Sequence, residues 1–101
     1  MKGKVTVVAR VRALPGLEEQ VREELLLLVA ETRKEAGCLN YDLHRSADDP
    51  GLFLFYENWE SLAHLERHAE SAHIQAFRAR SKELLAEPTE ITLWEMVSAA
   101  V

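Results

Sequence analysis

Three of the four histidines in this chain fall inside one stretch, ENWESLAHLERHAESAH (residues 57–73), at positions 64, 68 and 73. An imidazole near neutral pH can accept a proton or ligate a metal, so this clustering asks which it does. His64 and His68 are spaced i,i+4, as in a helical zinc pair. The segment reads H-L-E-R-H, however, whereas the H-E-x-x-H motif needs its acid directly after the first histidine to act on metal-bound water. Here the acid is Glu66, two positions along, and it projects elsewhere. His73 joins as a third ligand only if the helix breaks between 69 and 72. No metal site is expected.

Helical phase separates the three. If Leu62, Leu65 and Ala69 form the buried stripe of a helix over 61–69, His64 lies about 130° from its centre and His68 about 90°. His64 is then solvated, and His68 sits at a rim where a cavity between helix and sheet would open. His73 heads the next helix, whose inner stripe is Ile74, Phe77, Ser81, Leu84 and Leu85. Arg78 lies about 70° from that stripe. A serine and an arginine near an apolar stripe suggest a polar-lined pocket, although Arg78 could instead pair with Glu83 or Glu57. A rim histidine is more often packed or capping than catalytic, and Trp59, Tyr41 and Trp94 taken alone read as core. A histidine base beside aromatic side chains suits a flat, ring-containing substrate.

The elements that would position these residues emerge from the hydropathy pattern. Residues 4–14 (KVTVVARVRAL) alternate, with Val5, Val7, Ala9 and Val11 on one face, and Pro15-Gly16 ends the strand. From Leu17 the period becomes helical through Leu25, Leu28, Val29, Thr32 and Ala36, with Glu18 and Glu19 in the first turn and Gly37 as a left-handed C-cap. Leu26, Leu27 and Ala30 widen its apolar face, as for a helix covered on more than one side. Residues 39–45 and Leu52–Trp59 read as two strands of a hairpin around the turn SADDPG. Helices over 61–69, with Ser61 as N-cap, and 71–85 come next, then a strand over 90–97. This β-α-β-β-α-β order, with the second helical region split, is the ferredoxin-like arrangement: α+β, with helices on one face of a four-stranded antiparallel sheet.

The strands are apolar on both sides. Phe53, Phe55 and Trp59 share one face of Leu52–Trp59; Leu52, Leu54 and Tyr56 share the other. Helices can cover only one, so a second subunit packing sheet against sheet as a two-fold homodimer is expected. Asn58 faces opposite to Trp59, so both line one pocket only if the strand bulges or ends there.

Composition bounds the function. The 101 residues are one domain's worth, spanning 1–101, and 48% of them are hydrophobic. A net charge of −5, with twelve basic residues scattered along the chain, argues against nucleic acid or an anionic membrane as partner. The single cysteine, Cys38, excludes an intrachain disulfide. With arginines interrupting the N-terminal apolar residues, neither an export signal nor a membrane span is expected, and the chain reads as cytoplasmic. It carries no serine nucleophile elbow, glycine-rich phosphate loop or dinucleotide fingerprint.

Three motifs in order, G-C-L-x-Y-x-L from Gly37, F-x-x-Y-E-N-W-x-S from Phe53 and H-x-x-x-x-H-x-x-x-F from His68, resemble the antibiotic biosynthesis monooxygenase (ABM) family and its quinol monooxygenase branch. The resemblance implies a dimeric α/β barrel and, in each subunit, a pocket between sheet and helices. It implies oxidation of a small aromatic quinol or phenol by O2 with no metal, flavin or haem cofactor. His68, His73, Trp59 and Glu57 fall on the family motif. His68 is then the proton acceptor or anion partner, Trp59 and Tyr41 are pocket wall, Arg78 holds a phenolate or peroxide oxygen, and Asn58 is a candidate donor. Tyr41 and Arg78 rest on helical and strand geometry more than on the motif. A haem-degrading branch shares the fold. It uses an asparagine on the first strand, which is missing here, and it places a tryptophan and a haem-ligand histidine where this chain has His68 and Arg78. The family also holds an isomerase, so a non-redox binding protein or isomerase on the same scaffold stands as the alternative.

Overall fold

The computed structural model describes residues 3–98; the first two and last three residues of the expected 1–101 unit lie outside the described residues. Seven elements succeed one another: β1 (Val5–Arg12), α1 (Glu18–Thr32), β2 (Cys38–Arg45), β3 (Leu52–Trp59), α2 (Leu62–Ala69), α3 (Ala72–Leu84) and β4 (Glu90–Trp94). The strands form one antiparallel sheet in the order β2-β3-β1-β4. This is the βαββαβ ferredoxin-like architecture, with the second helical region split at Glu70–Ser71 as the sequence indicates.

Register fixes the two faces of the sheet. Val5 pairs with Trp59, Val7 with Glu57, Ala9 with Phe55 and Val11 with Phe53, and Val7 also pairs with Leu93. Paired residues share a face, so these side chains all point toward the helices. There Val5, Val7, Ala9, Val11, Phe53, Phe55 and Trp59 meet Val21, Leu25, Leu28 and Val29 of α1 and Leu84 of α3 in one core, while Leu93 on the edge strand stays exposed. The opposite face carries Thr6, Val8, Arg10, Leu54, Tyr56 and Asn58 with Thr92 and Trp94. Tyr56 is 41% exposed and Trp94 is 56% exposed.

Four sequence expectations change. α1 stops at Thr32, and residues 33–37 turn through shorter i→i−3 bonds: Lys34 to Glu31 and Glu35 to Thr32. Arg33 anchors this turn to β2, donating from Nε to the Tyr41 carbonyl and from Nη2 to Asp42. Gly37 is left-handed (φ 82°), but it ends this turn rather than capping the helix. Second, Leu26, Leu27 and Ala30 are exposed, because the sheet and α3 cover only one side of α1. Third, Leu62 is also exposed, because α2 is rotated so that His68 takes the inward position. Fourth, β4 ends at Trp94, opposite Thr6 near the start of β1, and residues 95–97 have no strand partner.

Two further ties hold the helices and strands in place around the space between them. Leu14 donates to the Leu84 carbonyl and Ala86 to the Arg12 carbonyl, so the end of α3 is fastened beside the end of β1. Glu60 donates to the Gly37 carbonyl, fastening the exit of β3 to the entrance of β2.

Candidate active site

Between the sheet and α2, α3 and the 86–89 connection lies a cavity of about 430 Å³. Its floor is Val7, Ala9, Phe55, Glu57 and Tyr41, and its walls are Leu25, Leu28, Leu65, Ile74 and Phe77. The size suits one small ring-containing molecule. Against this apolar lining, the polar groups are few: Glu57, His68 and, toward the opening, Glu66, Arg78, Ser81 and Thr89.

Strand alternation places Glu57 on the helix face, where it is 4% exposed. A buried carboxylate needs a donor, and the next residue on the same face supplies one: Trp59 Nε1–H donates to Glu57 Oε1 at 2.9 Å. Burial dominates all the same. It raises the Glu57 carboxyl from its ordinary 4.5 to about 7, with the charge of Glu35 adding to the rise and the Trp59 bond opposing it. Tyr41 is the cross-strand partner of Glu57. Its ring lies 4.7 Å from Phe55 and meets His68 edge-on at 5.4 Å. Burial, then Glu57, pushes its hydroxyl well above the usual phenol value, so it stays protonated.

His68 closes this group from above. Its ring centroid is 4.7 Å from that of Trp59, and its Nδ1 lies 2.8 Å from Glu35 Oε2. A carboxylate at Nδ1 fixes the tautomer with Nδ1–H donating to it. Nε2 then carries the lone pair. It has no side-chain hydrogen bond, yet no buried side-chain nitrogen or oxygen among the described residues lacks a partner. His68 itself lines the cavity. Burial favours the neutral ring by lowering its pKa, while Glu35 opposes that shift.

His73 reaches the same carboxylate oxygen from the far side, with Nε2 2.7 Å from Glu35 Oε2 and 3.2 Å from Thr32 Oγ1. It does not line the cavity. The break between α2 and α3 makes this approach possible, and the Ser71 hydroxyl holds it by donating to the His68 carbonyl at 2.7 Å. The centre of the arrangement is thus Glu35, which sequence reasoning did not single out. Its only sequence signal was an acid three residues beyond Thr32, the last buried residue of α1, in the turn that follows the helix.

The other expected site residues scatter. Trp59 stands behind His68 and Glu57 rather than on the cavity wall. Asn58 points to the opposite sheet face, as strand alternation requires. There it accepts from Thr6 Oγ1 at 2.6 Å and donates to Asn40 Oδ1 at 2.9 Å, so it is no donor to the cavity. Arg78 stands at the cavity's edge and donates to the Ala69 carbonyl at the end of α2; among the described residues it pairs with neither Glu83 nor Glu57. The Ser81 hydroxyl is occupied by the Arg78 carbonyl. His64 is not solvated: it is half-buried, hydrogen-bonded to the capping Ser61 and packed on Gly37, where a Cβ would fall 2.2 Å from its ring. Burial, then Glu35 and Glu57, raises the Cys38 thiol, leaving it an unactivated neighbour.

A ferredoxin-like domain with a small-molecule cavity under its helices, lined by a buried histidine and a buried carboxyl group, is the class that fold and site define. The family model described as "Antibiotic biosynthesis monooxygenase" matches residues 4–80, and the chain belongs to that family. A Mycobacterium tuberculosis protein named "Putative monooxygenase Rv0793" is 38% identical over 93 residues, covering 92% of this chain and 91% of its own length. The Escherichia coli K12 protein "Probable quinol monooxygenase YgiN" is 30% identical over 83 residues, covering 72% of this chain and 80% of its own length. Among solved structures, PA3566 from Pseudomonas aeruginosa superposes with a TM-score of 0.90 at 38% identity, over 97% of this chain and 98% of that one. No helix among the described residues is long and apolar enough to cross a membrane.

Proposed function

We propose that this chain is a cofactor-independent monooxygenase that oxidises a small aromatic quinol or phenol with O2. One observation carries the reading: an apolar cavity of ring size is met by a single buried imidazole whose other nitrogen is held by a carboxylate. A relative named as a quinol monooxygenase supports the substrate class.

In this mechanism His68 Nε2 takes the hydroxyl proton of the bound phenol, while Glu35 at Nδ1 holds the ring in place and offsets its positive charge. The electron-rich phenolate passes one electron to O2, and the resulting radical pair joins as a ring-bound peroxide. Heterolysis of the O–O bond leaves one oxygen on the ring as a carbonyl. The other oxygen departs as water, with the hydroxyl proton and the displaced ring proton. The substrate supplies the electrons, so no metal, flavin or haem takes part. The apolar walls and Tyr41 enclose the ring, and Arg78 at the edge stabilises oxygen-centred charge if it leaves the Ala69 carbonyl. Glu57, with a pKa near 7, is a second proton-handling group in the same cavity.

The open sheet face, with Tyr56 and Trp94 exposed, supports a homodimer in which two sheets pack face to face. The acidic net charge and the single cysteine support action in the cytoplasm on a small molecule.

The test is oxygen uptake with a panel of quinols and naphthols. The wild type should consume O2 in step with loss of substrate, and His68→Ala should lower the rate by about 100-fold or more. No uptake across the panel, with the same compounds raising the melting temperature, would favour the non-redox binding or isomerase reading.

A further inference from the structure

The cluster formed by Glu35, His68 and His73 has a property beyond proton handling. Their ligand atoms, one carboxylate oxygen and two imidazole nitrogens, all lie within 4.8 Å of one another. We propose that these three residues form a binding site for a divalent metal of the zinc, cobalt or nickel class, adjoining the aromatic substrate's cavity through His68.

Donor chemistry is the first support. Two neutral imidazoles and one carboxylate suit borderline divalent ions rather than calcium or magnesium, which prefer all-oxygen sites. Geometry is the second. Atoms sharing a metal at about 2.1 Å lie about 3.0–3.4 Å apart. The two nitrogen–oxygen separations, 2.8 and 2.7 Å, are within a few tenths of that range, so the main adjustment is closure of the two imidazoles toward each other. Electrostatics is the third. Glu57 and Glu35 feel each other's charge in a largely buried region, and a cation beside them offsets that repulsion. Access is the fourth. A separate hollow of about 180 Å³ reaches His73 from the protein surface, with Glu24, Glu31 and Arg80 on its walls; Glu24 pairs with Arg80 and Glu31 with Lys34.

Metal binding changes what His68 presents to the cavity. A neutral imidazole that ligates through Nδ1 keeps its one proton on Nε2, so the nitrogen facing the cavity becomes a donor and cannot accept a proton. His73 undergoes the corresponding exchange, ligating through Nε2 with its proton on Nδ1. If His68 is the base of the proposed oxygenase reaction, the metal switches it off. That consequence rests on the proposed function; the binding itself does not.

The experiment is titration of the purified full-length protein with CoCl2 and with ZnCl2 in a non-coordinating buffer, monitored by cobalt d–d absorption and by calorimetry. One equivalent should bind at micromolar concentration. Glu35→Gln and His73→Gln should each weaken binding at least 10-fold, whereas His44→Ala, on the exposed opposite sheet face, should bind as the wild type does. Circular dichroism of each variant establishes that it is folded. If a Gln variant does not fold, His73→Asn and Glu35→Asp replace it, with the same expected weakening. Absence of saturable binding to 1 mM metal would overturn the proposal, as would wild-type affinity in the Glu35 or His73 variant, or loss of binding in His44→Ala. None of these readouts uses oxygen consumption, so an inactive enzyme that binds metal leaves this inference standing while removing the oxygenase reading.

Discussion

Replacing Glu57 with glutamine should make this protein more stable, by an amount that grows as pH rises from about 4.5 through about 7. A carboxyl that binds its proton more tightly in the folded protein than in the unfolded chain contributes stability below its unfolded pKa. It loses that contribution as pH rises through its folded value. For Glu57 the window runs from 4.5 to about 7, because burial outweighs the Trp59 bond. A rise of that size corresponds to about 3 kcal/mol once the folded carboxyl must ionise. Glutamine keeps an oxygen that can accept from Trp59 Nε1 and has no charge to bury. Urea unfolding of wild type and Glu57→Gln, at matched protein concentration from pH 4 to 8.5, measures the difference across this window. The two curves should nearly coincide near pH 4 and diverge through the window, with the variant ahead by about 2–3 kcal/mol at pH 8. A difference that does not vary with pH would refute the assignment of Glu57 as a desolvated acid. So would a wild type that gains on the variant as pH rises.

Other perturbations have equally definite outcomes. Gly37→Ala combines a left-handed backbone with a Cβ 2.2 Å from the His64 ring, and should cost about 2–4 kcal/mol in the same unfolding assay; a loss below about 0.5 kcal/mol would mean the turn relaxes freely. Phe53→Ala removes a ring that is 1% exposed against Val11 and should cost about 3–5 kcal/mol. Tyr56→Lys on the open sheet face should shift light-scattering mass from twice the 11.5 kDa chain toward one chain, leaving far-ultraviolet dichroism intact. An unchanged mass would place any self-association elsewhere.

Much of the fold was legible from one-dimensional pattern because strand alternation and helical period are local properties. Val5, Val7, Ala9 and Val11 announce their shared face in the sequence, and so do Phe53, Phe55 and Trp59. Cap chemistry is local too: Ser61 accepts from the His64 amide as its type and position suggest. The same alternation separates Asn58 from Trp59 without any tertiary information. The phase of α2 was not legible. Leu62 looks like the core residue of that helix and His68 like its rim, yet a charge-assisted partner on another element decides the matter. His68 is drawn inward by Glu35 and packed by Trp59, and the short helix turns Leu62 outward.

What the sequence determined by itself is the order of elements, the faces of β1 and β3 and a family motif carrying His68, His73, Glu57 and Trp59; in β2 a register shift between Cys38 and Asn40 takes Leu39 off the face it was expected to share with Tyr41 and Leu43. What only the tertiary structure decided is which of these meet. Glu35 stands 33 residues before His68, and no periodicity links a turn after α1 to the break between α2 and α3. Their junction exists because Arg33 pins that turn to β2 and the Ser71 hydroxyl holds the helix break. Between those two anchors one carboxylate oxygen receives both imidazoles. Hydropathy can say that a residue is buried; only packing of distant segments can say which polar group shares its burial, and that pairing sets the chemistry.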